Sequence, residues 1–117
     1  MHKSIYMEEL TYTQKIAIMR ILLDIIYADG RVDARETTYY DKLMKELDLK
    51  DEAKEDIIRK SSLIALLDIK NFSTQNKEHF ASLMDKMIKV DEDINVNEVA
   101  IYDVVIDFCN IPIPFAG

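Results

Sequence analysis

At 117 residues the chain is long enough for one hydrophobic core and too short for two. A net charge of −7 and a pI near 4.8 argue against binding the phosphate backbone of a nucleic acid, which demands a basic surface. Two glycines, two prolines and 49% hydrophobic residues fit an all-α globular protein, and the single Cys109 excludes an internal disulfide.

Residues 1 to 10 carry Ile5, Tyr6, Met7 and Leu10, read as a short docking turn. Lys3 is followed by Glu8 and Glu9 rather than by an apolar stretch, so no signal peptide is expected and the chain reads as cytoplasmic. Thr11-Tyr12-Thr13-Gln14 has the spacing of a capping box, in which hydroxyl and amide satisfy free N–H groups at a helix start. Ile18, Leu22, Ile25 and Ile26 then recur at helical intervals. The most apolar run, Ile21 to Ala28, is broken by Asp24 and falls well short of the roughly 20 residues that span a bilayer. Gly30 is expected to close this helix in a left-handed conformation.

Asp33-Ala34-Arg35-Glu36 is a second capping box, opening a helix with Tyr39, Tyr40, Leu43 and Leu47 on one stripe. Asp48 to Asp51 reads as a turn, with Asp51 capping a helix that contains Ile57 and Ile58. Ser61 and Ser62 mark a break before Leu63-Ile64-Ala65-Leu66-Leu67, apolar enough to be buried on most sides, and Asn71-Phe72-Ser73 ends that helix. A further helix is predicted from about Thr74 to Lys89, with Phe80, Leu83, Met84, Met87 and Ile88 facing inward. Asn95-Val96-Asn97-Glu98 is a third capping box, with Ile94 and Val99 at hydrophobic-staple spacing. The last helix carries Ile101, Tyr102, Val105, Phe108 and Cys109 on its apolar side, and Pro112 stops it before an apolar tail, Ile111 to Phe115.

Two acidic loops organise this pattern. Asp29 corresponds to Asp91, Val32 to Ile94, Asp33 to Asn95 and Glu36 to Glu98, each pair 62 positions apart. The chain therefore reads as one domain over residues 1–117 built from two helix–loop–helix halves, about 12–49 and 74–111. The expected fold is a compact bundle of about five to seven helices with a pseudo-twofold relation between the halves.

The stretch Ala28-Asp29-Gly30-Arg31-Val32-Asp33-Ala34-Arg35-Glu36 between two helices resembles the tellurite-resistance TerB-like family, which includes the cytoplasmic domain of a membrane-anchored DnaJ-type co-chaperone. The resemblance, which extends over residues 12 to 111 in helix order, implies a non-enzymatic all-α domain. It further implies a role in bacterial stress or metal resistance near the membrane, with protein partners and with acidic residues holding divalent cations. The second loop departs from the motif at Glu92, where the first has glycine, and at Asn95, where the first has Asp33.

The acidic residues admit two readings. Asp33 and Glu36 serve as helix caps and Asp29 forms an Asx turn toward Arg31 or Val32; Glu36 and Glu98, at the start of apolar stripes, lean inward. Alternatively Asp29, Asp33 and Glu36 coordinate a hard divalent cation (calcium, magnesium or manganese), with Asp91 and Glu98 as their second-loop counterparts. An EF-hand beginning at Asp91 is excluded, because its sixth and twelfth places hold Val96 and Tyr102. Between residues 85 and 107 acids outnumber bases, and Asp93, Asp103 and Asp107 are either solvated surface or a docking patch for a basic partner. His79 has no second ligand at metal spacing and reads as a surface residue; Cys109 reads as core. With no phosphate-cradling glycine loop, zinc-type cysteine cluster or serine-nucleophile motif, the chain is read as a binding module and not an enzyme. A scaffold domain is the first alternative, and a carboxylate-metal hydrolase, which would need both loops to meet, the second.

Overall fold

The computed structural model describes residues 9–90 and 92–112. Among these residues the fold is an all-α bundle of six helices: α1 (Tyr12–Ile26), α2 (Ala34–Glu46), α3 (Glu52–Arg59), α4 (Ser62–Lys70), α5 (Thr74–Lys89) and α6 (Val96–Phe108). The central element is α1. Its sequence is apolar on nearly every side, with Arg20 and Asp24 as the main interruptions, and such a helix must be surrounded. It packs against all five others, and Ala17, Ile18, Met19, Leu22 and Ile25 are completely excluded from solvent.

Short-range chemistry sets the helix starts. Gln14 N–H donates to Thr11 Oγ1 at 3.1 Å and Thr11 N–H donates back to Gln14 Oε1 at 2.9 Å, closing the first capping box. Ser61 caps α4, Ser73 caps α5, and Asp33 and Asn95 cap α2 and α6. Asp51 does not behave as predicted. It precedes α3 in helical conformation and makes no side-chain cap, since its backbone has already entered the turn that a cap residue must stay out of.

The duplication is written into the backbone. The caps Thr11 and Ser73, the first residues of α1 and α5, the caps Asp33 and Asn95, and both ends of α2 and α6 are all related by the same step of 62 residues. So are the left-handed residues. Gly30 (φ 80°) pairs with Glu92 (φ 64°), and Asp48 (φ 59°) with Asn110 (φ 55°). The latter two close α2 and α6 in the same way: Leu49 N–H reaches Met44 O and Ile111 N–H reaches Ile106 O, the six-residue return that satisfies the last free carbonyls. Packing obeys the same exchange, with α1 against α6 as α5 is against α2. The pair α3–α4 lies between the repeats and has no counterpart.

Gly30 does not close α1, which ends at Ile26 with Tyr27 as its cap; the glycine turns the loop three residues later. Its counterpart Glu92 keeps the left-handed conformation despite a Cβ that costs about 1–2 kcal/mol there. The motif's departure at that position thus changes the residue and leaves the turn intact.

Three other expectations give way to the tertiary structure. α4 is not buried on most sides: Ala65 and Ile69 are fully covered by α1, but Leu63 is 60% and Leu67 41% exposed, because only one flank of this short helix meets a neighbour. Phe108 turns outward while Cys109 beside it is buried. Ile94 stays 60% exposed, so the staple spacing before α6 does not bury it. On α2, Tyr40 and Leu43 are buried and Tyr39 and Leu47 packed at the core edge, as the stripe requires. All five inward positions assigned on α5 are buried.

Candidate functional site

The first acidic loop leaves α1 and re-enters the fold through α2; the second joins α5 to α6. They meet. Asn95 Nδ2 donates to Asp29 Oδ2 at 3.0 Å, a partly buried bond across 66 residues of chain. Asp29 Oδ1 accepts the Arg31 N–H at 3.0 Å, the Asx turn expected from the sequence. Asn95 is used at both ends, its Oδ1 accepting from the N–H groups of Asn97 (2.8 Å) and Glu98 (3.2 Å) to cap α6. A carboxylate at position 95 would cap as well but would set a second negative oxygen against Asp29. The asparagine, a departure from the first-loop pattern, is what lets the loops join. The variant Asn95→Asp is therefore expected to lose about 1 kcal/mol of stability at pH 7. That loss should vanish below the carboxylate pKa range, as urea titrations at pH 7 and pH 3 would show.

Asp33 is occupied by its own helix. Its Oδ1 accepts the Arg35 N–H at 2.7 Å, and the Arg35 guanidinium reaches both carboxylate oxygens at 3.3 Å. The guanidinium, aided by that backbone N–H, holds the Asp33 carboxyl below its ordinary value. Glu36 and Glu98, one turn into α2 and α6, are 1% and 3% exposed, so both lean inward as their places on the apolar stripes predict.

The loops enclose a cleft of about 240 Å³. Its walls carry the carboxylates of Asp29, Asp33, Glu36, Asp93 and Glu98, faced by the guanidinium-bearing Arg31 and Arg35. Of the proposed cation ligands, Asp29, Asp33, Glu36 and Glu98 are thus brought together, while Asp91 lies outside the described residues. Of the proposed docking acids, Asp93 joins this cleft, whereas Asp103 and Asp107 lie farther along α6 and do not line it. Among the described residues no three His, Cys, Asp or Glu side chains form a group arranged to hold a metal ion. Asp29 and Asp33 are instead aimed at N–H donors of their own loops.

Sequence reasoning missed the two arginines, whose charges temper the cleft, and a polar tie in the C-terminal half of α1, where it meets α3 and α4. Arg20 there reaches Asp24 at 2.9 Å and the carbonyl of Ile58 at 3.2 Å, while the Ser62 hydroxyl donates to Asp24 Oδ2 at 2.6 Å. The spacing of Arg20 and Asp24 was the available signal, since residues four apart share a helix face. His79 is half-buried on α5 instead of lying on the surface. Cys109 is core; burial pushes its thiol up, and the S–H donates to Leu66 O at 3.4 Å.

Fold and cleft together define a duplicated all-α domain with an acidic cleft where its two loops converge. No protein-family model and no curated protein matches the sequence. The fold is similar to the crystal structure of PG1108, a protein of unknown function from Porphyromonas gingivalis W83, with a TM-score of 0.76 at 18% identity over 91% of this chain and 83% of that one. At that identity the likeness concerns the fold alone. No described helix is long and apolar enough to cross a membrane.

Proposed function

We propose that this protein is a non-enzymatic helical binding module whose acidic cleft receives a positively charged side chain, a guanidinium or ammonium, from a protein partner. The observation that carries this reading is the convergence of both loops on one cleft in which five carboxylates face two arginines. A cationic side chain entering there exchanges its hydration for carboxylate acceptors, and charge-assisted bonds of this kind are roughly twice as strong as neutral ones. The loop's resemblance to the TerB-like family supplies the setting: a bacterial stress or metal-resistance assembly, cytoplasmic and brought to the membrane by its partner.

A second reading, binding of a hard divalent cation in the same cleft, is favoured by the gathering of Asp29, Asp33, Glu36 and Glu98, all oxygen donors, on its walls. The ligand geometry supports it less, because Asp29 and Asp33 already accept local N–H donors. A carboxylate-metal hydrolase has the loop convergence it needs but would also require an assembled ligand set, so the binding reading is preferred.

Calorimetric titration of metal-stripped protein with a tetra-arginine peptide, and separately with calcium, magnesium and manganese, tests both. The Asp33→Asn/Asp93→Asn variant serves as the control, because asparagine keeps the cap of α2. Saturable peptide binding, weakened about tenfold in the folded variant, is the expected result. Binding of a cation and not the peptide would replace the first reading by the second, and binding of neither would overturn both.

A further inference from the structure

A second surface lies away from the cleft and is independent of it. α4 and α6 are both largely apolar, α6 carrying exposed acids along only one edge, a pattern that belongs to mostly enclosed helices. Each nevertheless leaves one face uncovered: Leu63 and Leu67 on α4, and Val104 (58% exposed) and Phe108 (37%) on α6. These faces flank a groove of about 320 Å³ whose floor is Ile21, Leu66, Ile101 and Val105. The groove is preformed. At one end Lys70 Nζ donates to Phe108 O at 2.9 Å and its ammonium lies 5.2 Å from the Phe108 ring, while Cys109 reaches Leu66 O. At the other, Ser62 is held by Asp24.

Helix periodicity sets Asp103 and Asp107, three and seven residues beyond the groove-lining Ala100, on the solvent edge of α6 beside the groove. Both are exposed. From Ala100 to Phe108 the wall runs about 12 Å, the length of two turns of a helix laid against it. We propose that this groove binds an amphipathic helix of a partner protein, seating apolar anchors at i, i+3 or i+4 and i+7 and setting basic side chains against Asp103 and Asp107. Charge selects that occupant over a second copy of the chain. Pairing two such faces would bring acidic rims together on molecules that each carry a net −7.

The probe is an 18-residue leucine/lysine peptide with leucines at helical spacing, titrated into ¹⁵N-labelled protein and followed by amide shifts. A matched leucine/glutamate peptide is the control. The expected result is micromolar binding of the basic peptide only, with shifts confined to α4, α6 and the turn of α1 that holds Ile21 and Asp24. Val104→Glu is the deciding variant, because it removes an apolar contact and adds an acid. Binding through the groove weakens at least tenfold, whereas attraction to a merely acidic surface would strengthen. Val104 is mostly exposed, so the variant folds, which circular dichroism verifies. Asp103→Asn/Asp107→Asn should weaken binding several-fold and flatten its salt dependence, while Asp33→Asn/Asp93→Asn should leave it unchanged. The proposal is overturned if Val104→Glu binds as well or better, if the shifts centre on the acidic cleft, or if the glutamate peptide binds equally. Sedimentation showing a dimer that Val104→Glu dissociates would also overturn it, naming a second copy as the occupant.

Discussion

Truncating Phe80 to alanine is expected to remove about 3–5 kcal/mol of stability. Phe80 has no exposed surface and is among the largest fully buried side chains, on a helix that packs against α1, α2 and α6. It occupies the repeat position of Ile18 on α1, itself fully buried. Equivalent core positions of the two halves therefore hold one aromatic and one aliphatic side chain where exact symmetry would have placed the same residue twice. Neighbours on three helices cannot all collapse into the vacated volume, so the loss combines lost transfer energy with a cavity. Against a total of about 5–15 kcal/mol for a domain of this kind, that is a fifth or more of the stability. Urea denaturation followed by far-ultraviolet circular dichroism should show a lower midpoint with an unchanged slope, and Phe80→Leu a smaller drop. A Phe80→Ala cost below 1 kcal/mol would mean that the repeats are not packed through this side chain.

Stability should also fall on the alkaline side. Burial pushes the phenols of Tyr39 and Tyr40 up to about 12 from an ordinary value of 10.0, with Glu46 adding to the first; at the second, Arg20 opposes the rise and Asp41 adds to it. A folded value above the unfolded one means that the native state holds these protons more tightly. The contribution is fully present below pH 10 and is lost as pH rises toward 12, when the unfolded chain ionises and the folded one resists. Each gap corresponds to at most about 2.7 kcal/mol. Discounted for screening by solvent at the edge of the core, the contribution is about 1 kcal/mol each. Urea midpoints measured from pH 8 to 11.5 should decline in the wild type. The Tyr39→Phe/Tyr40→Phe variant should decline less steeply, by about 2 kcal/mol over that range, because phenylalanine has no proton to lose. Parallel declines in the two proteins would place the alkaline sensitivity elsewhere, in the rising net negative charge.

The arrangement of the acidic residues shows how local and tertiary demands share one loop. Asp29, Asp33 and Asn95 each satisfy an N–H group within three residues of themselves, which any chain with these side chains at these spacings can do before it folds. Only the folded protein sets Asn95 against Asp29 and gathers Glu36, Glu98 and Asp93 around the same cleft. The asparagine that breaks the repeat's acidic pattern has its reason there, in an amide that donates to a carboxylate while its oxygen caps a helix.

Much of this protein was legible in its residues because the governing forces act over one or two helical turns. The caps Thr11, Asp33 and Asn95, the inward faces of α1 and α5, and the step of 62 residues relating the halves all depend on near neighbours or on periodicity. The tertiary structure alone decided which side of a largely apolar helix meets the core. Nothing in Leu63-Ile64-Ala65-Leu66-Leu67 distinguishes the Ala65 that α1 covers from the Leu63 and Leu67 left in solvent, and nothing on α6 marks Phe108 as outward. Hydrophobic burial is non-directional, so a helix without a polar face carries no instruction about its orientation until its neighbours arrive.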